Sequence, residues 1–479
     1  MSDTPALVVR AIDAGVRPVR LRLPFRFGAV TLRACPQLFV RATIEVAGER
    51  QMTGFAAELM VPKWFDKRAE FSHADNVAHL AASVDRAIAA YVNDTPASSF
   101  GLFARHYSAL LQTGERDGAT ELSCAYGQAV VDRAVLDALC RALDVSFFDA
   151  VARNLCGLQD SAPIPDLRGF DWNAWLPTLT PLRVIDARHT IGMLDELHAH
   201  EDASDGLPVS LPAVIARYGH RFFKIKLGGN PLADVKRLGD VLDVLDRHAP
   251  GHHYTVDCNE QYADAAALSE FFVRLAGLPA YAHRPDALLC VEQPVPRDQS
   301  LASALTARQS PVPLLMDEAD GTLDAFVRGR EVGWRAVSSK GCKGLYKSLV
   351  NRARCARWNA AAQRDGVTPA YFMSAEDLTC QAGLAVQQDL ALAALLGLTH
   401  SERNGHHYAD GFGDCPDGEQ RAFAVAHSDL YESAAGQGPR LKIARGRIAI
   451  DSLFAPGFAH SASPDWGAMR PLAAATDMV

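Results

Sequence analysis

From Arg183 onward the chain alternates short apolar stretches with amphipathic ones, and this rhythm restricts the fold more than any other feature. The strand candidates are RVIDARH, FFKIKL, YTVDCN, LLCVEQP, PLLMDEA, RAVSSK, AYFMSAE and LGLTHSE. Helix-like stretches lie between them, among them PLADVKRLGDVLDVLDRH, ADAAALSEFFVRLAGL, YKSLVNRARCARWNAAAQ and QAGLAVQQDLALAALLG. Strands that each lead into a helix must run parallel, because a crossover helix returns the chain to the same end of the sheet. Eight such units predict a closed α/β barrel over residues 183–410.

Each strand candidate after the first ends in a charged group: Lys226, Asp257, Glu292, Asp317, Lys340, Glu376 and Glu402. In a parallel barrel the C-terminal strand ends converge on one mouth, so these charges would face one another. Such crowding is costly unless something holds it together. Asp257, Glu292 and Asp317 offer carboxylate oxygens from successive strands, a hard donor set that suits Mg²⁺, with Mn²⁺ as the alternative, better than Zn²⁺. Lys226 precedes these strands and Lys340 follows them, so the two would approach a bound substrate from opposite sides. A lysine crowded by other cations in a partly desolvated mouth is expected to lose its proton more readily and act as a general base. With a cation stabilising the developing charge, this constellation could abstract the α-proton of a carboxylate through an enediolate.

The motifs KIKLGG, VDCNEQ, VEQP, MDEA and SSKGCK, in this order and spacing, together with LPFRFGAVTL and the helix around VVDRAVLDAL, resemble the enolase superfamily in its mandelate racemase/muconate lactonizing enzyme branch. The use of a Lys or His base with Mg²⁺ is a general feature of that superfamily. The resemblance implies a modified (β/α)7β TIM-type barrel under an α+β capping domain. It divides the chain into a cap at 1–160, a connection at 161–182, the barrel at 183–410 and a C-terminal segment, 411–479, that packs back on the cap. It implies metal ligation by Asp257, Glu292 and Asp317, with Asn259 and Glu318 supporting them. Lys226 and Lys340 become the acid/base pair, as in the muconate lactonizing group, and Lys224 holds a substrate carboxylate oxygen. Because the family usually has a Gly-Gly turn after the sixth strand and this chain reads KGCKGLYKS, Lys343 competes with Lys340. Glu376 stands where mandelate racemase-like members have a histidine, which disfavours acid-sugar dehydration. Glu402-Arg403-Asn404 does not form the Asp-x-Asp of dipeptide epimerases. Glu376, Glu402 and His189 are the remaining candidates for substrate contact.

Other signals are weighed against plainer readings. His198-Ala199-His200, with His406-His407, raises a metal-dependent hydrolase on the same barrel, but the HxH lies about ten residues beyond the first strand's end, where that class requires it. A barrel retained only for binding would have lost ligand or base positions, and none is lost. His406 and His407, just after the eighth strand, either reach the mouth or pack beside it. Trp64, Phe65, Trp172 and Trp175 either wall the pocket or fill a core.

Composition narrows the setting. The 479 residues are 48% hydrophobic and 22% charged with a net charge of -8, which supports a large core and gives no basic footprint for nucleic acid. Ten dispersed cysteines form no CxxC pair, so reduced, buried thiols in a cytoplasmic protein are expected. No apolar run approaches the length of a membrane span, and the N-terminus lacks the pattern of a signal peptide. The expected partners are a small carboxylate substrate and further copies of the chain, with neither nucleic acid nor membrane.

Overall fold

The structure is a computed structural model that describes residues 4–46, 50–198, 205–302, 310–368, 370–433 and 438–479. Strands β1 (Leu7–Phe27), β2 (Val30–Val46) and β3 (Arg50–Leu59) form an antiparallel meander. The stretch FVRATIEVAGERQMTGFAAE (Phe39–Glu58) reads in sequence as two strands turning at Ala47-Gly48-Glu49, and both strands are present; the turn lies outside the described residues. The strand β1 was not expected. Helices follow at His73–Tyr91, Ser99–Arg116 and Glu121–Leu143. Each starts on a serine or threonine (Ser72, Ser98, Thr120) whose side chain accepts a hydrogen bond from a first-turn backbone N–H. The third helix packs on β3 at Gly54, where a Cβ would lie 2.1 Å from the Ala138 backbone nitrogen, so only glycine permits the contact.

The barrel strands are β4 (Val184–Ile191), β5 (Phe222–Lys226), β6 (His253–Asp257), β7 (Leu288–Glu292), β8 (Leu314–Met316), β9 (Ala336–Ser339), β10 (Phe372–Ala375) and β11 (His400–Glu402). All run parallel in sequence order, and β11 pairs back onto β4 to close the barrel. The helix at Pro231–His248 matches the sequence reading, with Asn230 capping it, Pro231 opening it and Arg247 and His248 in its last turn. Period-two alternation sends Phe223 and Ile225 outward while Lys224 and Lys226 point inward. Inside the barrel Cys290, Leu315 and Ala336, with Phe372 against them, form a small apolar layer apart from the main core. The charged layer rests on this floor.

Within RLKIARGRIAI, read as a possible hairpin, the chain does reverse, with Ala444 and Arg447 forming one antiparallel bridge, but the arms then pair with other strands. Of the strands β12 (Tyr431–Glu432), β13 (Arg440–Leu441), β14 (Arg447–Ala449) and β15 (Arg470–Pro471), β13 pairs with β12, while β14 adds antiparallel to β4. The chain then returns to the first sheet, where β15 pairs with β1. A lone ribbon at Arg440–Ile450 would leave both edges open; pairing with existing strands satisfies more backbone groups. All ten cysteines are free and buried. Among the described residues no helix is long and apolar enough to cross a membrane.

Candidate active site

Register brings the charged strand ends together. Lys226 lies beside Asp257 across β5 and β6, and Asp257 beside Glu292 across β6 and β7. Asp317 follows β8 directly and Lys340 follows β9. All five are buried.

Lys224 occupies the centre. Its ammonium lies 2.7 Å from Glu292, 2.8 Å from Glu376 and 3.0 Å from both Asp257 and Glu402. Burial alone would lower its pKa, but the four carboxylates hold it well above the ordinary lysine value. Lys226 donates to Asp257 Oδ2 at 2.5 Å and to Asn259 Oδ1 at 2.9 Å. Lys340 donates to Asp317 Oδ2 at 2.7 Å. Here the sequence expectation is corrected: burial pushes Lys340 down, yet the Asp317 carboxylate raises it above the ordinary lysine range. Lys340 and Lys343 differ in position, with Lys340 lining the cavity. Lys343 turns to Asp320 at 2.8 Å, Ser338 Oγ at 2.8 Å and the Asp317 carbonyl at 3.1 Å, away from the cavity.

The carboxylates respond unequally. Burial raises Asp257, Asp317 and Glu402, but nearby lysines overcome it and leave all three below their ordinary values. Glu292 goes the other way, well above the usual range, through burial and the neighbouring Asp257 and Glu376 charges. Its Oε1 is buried without a hydrogen-bond partner. An orphaned carboxylate oxygen between Asp257 and Asp317 is what a missing hard cation would leave, so the donor set fits a divalent ion such as Mg²⁺. The three acids are not drawn to one point in this arrangement, since Lys224, Lys226 and Lys340 hold their oxygens.

Glu376 and Glu402 both contact the Lys224 ammonium. Arg188 and Ser374 grip Glu376, which lies beneath the cavity. Glu402 lines the cavity but accepts from Thr190 Oγ1 at 2.6 Å and Asn404 Nδ2 at 2.8 Å. His189 is a correction. It lies between the inward residues Arg188 and Thr190, so its ring points outside the barrel, against His220, His406 and His407. His406 and His407 therefore pack beside the mouth and do not reach it. Asn259 donates to Glu318 Oε1 at 3.2 Å, and Lys67 from the cap reaches the same oxygen at 3.1 Å.

The cavity is roofed by the cap. Phe25, Phe27, Leu32, Val61 and Trp64 face Lys224, Lys226, Asn259, Lys340, Asp377, Leu378, Thr379 and Glu402. Lys340 Nζ lies 4.2 Å from the Trp64 ring centre and Lys226 Nζ 5.7 Å from that of Phe25. Trp172 and Trp175 instead pack with Phe170 in the connection, and Phe65 packs against Trp64 and Tyr126. The sequence missed Phe25 and Leu32 as roof residues, although LPFRFGAVTL contains both.

This is an α/β barrel with its charged mouth closed by an antiparallel cap. Residues 210–338 match the family described as enolase C-terminal domain-like, the stretch that holds most of the motifs quoted above. No curated protein sequence matches the chain. Among solved structures it is similar to 2-chloromuconate cycloisomerase from Rhodococcus opacus 1CP, at 17% identity over 96% of this chain and 97% of that one, TM-score 0.57. Muconate lactonizing enzyme from Pseudomonas fluorescens complexed with muconolactone aligns at 15% identity over 96% and 97%, TM-score 0.57. An enolase from Bradyrhizobium complexed with magnesium and mandelic acid aligns at 14% identity over 96% of both chains, TM-score 0.55. These likenesses establish the shared fold.

Proposed function

We propose that this protein is a Mg²⁺-dependent enzyme that abstracts the α-proton of a small carboxylate, giving racemisation or epimerisation, β-elimination or cycloisomerisation. The observation that carries the reading is that Lys226 and Lys340, from strands on either side of the acidic ones, line one cavity beneath an apolar roof. Asp257, Glu292 and Asp317 would hold the cation, which when bound supplies positive charge beside the substrate carboxylate. Lys224 orients that carboxylate, and Asn259 steadies Lys226. Lys226 takes the α-proton on one face of the substrate. Lys340, held charged by Asp317, is set to deliver a proton on the other and acts as a base only when Asp317 is engaged elsewhere. Phe25, Phe27, Leu32 and Trp64 exclude water and favour a carboxylate with an apolar body. The structures similar in fold that were solved with mandelic acid or muconolactone support this substrate class. The same reading takes 1–160 and 411–479 as cap and 183–410 as catalytic barrel.

The test is a screen of carboxylates in D2O with Mg²⁺, followed by NMR. Deuterium at the α-carbon, or loss of water, is expected for at least one apolar carboxylate. Asp257→Asn should weaken Mg²⁺ binding, while Lys226→Ala should keep the metal and lose exchange from one stereoisomer. If Lys226→Ala leaves exchange of both stereoisomers intact, the base assignment is wrong.

A further inference from the structure

A second cluster of ligand-type side chains lies outside the barrel, behind the seam where β11 closes onto β4. His189 on β4, His220 just before β5 and His406 just after β11 bring one ring nitrogen each within 4.8 Å of the others. They are 2%, 1% and 5% exposed. Their ring centres are 5.2 Å (His189 to His220), 5.3 Å (His189 to His406) and 5.0 Å (His220 to His406) apart. Imidazoles bound to one tetrahedral ion at Zn–N distances of about 2.0–2.1 Å would have nitrogens about 3.4 Å and ring centres about 5 Å apart. His220 Nε2 and His406 Nε2 are 3.2 Å apart.

The protonation pattern suits coordination. His220 Nδ1 lies 3.1 Å from the Ala187 carbonyl, which calls for the proton on Nδ1 and leaves the Nε2 lone pair aimed at the cluster. Burial lowers the pKa of all three, so they are neutral and able to ligate. A hydrogen bond between His220 and His406 would account for that pair alone. It leaves His189 Nδ1 buried with no partner, a cost a protein interior seldom carries without cause. Tyr218 and Phe223 pack around the group, giving it an apolar shell.

From this geometry we propose that His189, His220 and His406 form a binding site for a transition-metal ion of the Zn²⁺ class, distinct from the carboxylate set at the mouth. The nitrogen-only donors select against Mg²⁺ and for Zn²⁺ or Co²⁺. The ion would tie together β4, the entry to β5 and the chain after β11, fastening the seam of the barrel.

The experiment uses the full-length protein, stripped with chelator, then loaded with Co²⁺ and washed in excess Mg²⁺. One Co²⁺ per chain should remain, with the intense visible absorption of a tetrahedral site. His220→Phe and His406→Phe should lose it, and Asp257→Asn should keep it. Loss of all Co²⁺ to the Mg²⁺ wash overturns the proposal, as does a retained ion that His220→Phe keeps or that Asp257→Asn abolishes. If the histidine variants fail to fold, X-ray absorption on the Zn²⁺-loaded native protein decides: three imidazole ligands support the site, and a shell of oxygens alone refutes it.

Discussion

The Lys340 ammonium sits 4.2 Å above the Trp64 ring, so a barrel strand end and a cap loop meet directly over the charged mouth. A cation over an indole face is attracted by the ring quadrupole, most strongly when water is excluded. Trp64→Ala removes this contact and a side chain that is only 4% exposed. It should destabilise the protein by about 3 kcal/mol, the low end for such truncations because the ring borders a cavity. Urea denaturation measures this, and Trp64→Phe should recover more than half of it.

Lys224 is the counter-charge for four buried carboxylates. Its raised pKa means its stabilisation is fully present below the ordinary lysine value of 10.5 and is lost only as pH climbs through the folded value. Lys224→Met should therefore cost about 3–5 kcal/mol at neutral pH, since the acids are left uncompensated. Mg²⁺ should restore part of that loss, because a bound cation answers the same charges. Thermal melts with and without Mg²⁺ will show a larger metal-induced rise in the variant than in the native chain.

Acid should loosen the cap before the barrel. Glu260 accepts from Arg297 at 2.8 Å and from Lys67 at 2.6 Å, and Arg297 also donates to the Phe65 and Trp64 carbonyls. Burial raises Glu260, but Arg297 and Lys67 bring it down to about 2 from 4.5. A depressed carboxylate stabilises above its unfolded value and loses that contribution as pH falls toward its folded one. The loop bearing Trp64 should thus detach between about pH 4.5 and 2. Tryptophan fluorescence will follow this, and Glu260→Gln should abolish the pH dependence of the step.

Gly54→Ala tests the close packing of the cap helix on its sheet. The added carbon would lie 2.1 Å from the Ala138 nitrogen and 2.4 Å from the Ala134 carbonyl oxygen, both backbone atoms that cannot step aside. A loss of about 3 kcal/mol is expected, read as a lower denaturation midpoint.

The eight barrel strands were legible because each is a short apolar run, all but the first ended by a charge, and local pattern alone carries that information. The acids and lysines at their ends could be named for the same reason. His189 was not placed correctly, because which of two adjacent side chains faces inward depends on register across β4 and β5, and register is a property of the paired strands. KIKLGG placed Lys224 two residues before Lys226 but did not show that it would meet Glu376 and Glu402, which lie 152 and 178 residues away. Barrel closure alone brings those together. The cavity's roof likewise comes from Phe25 and Trp64, far from the barrel in sequence, so its shape was settled only when the cap docked. Sequence periodicity determined the elements and their chemistry; long-range register and docking decided which groups share a buried, low-dielectric space and so act on one another.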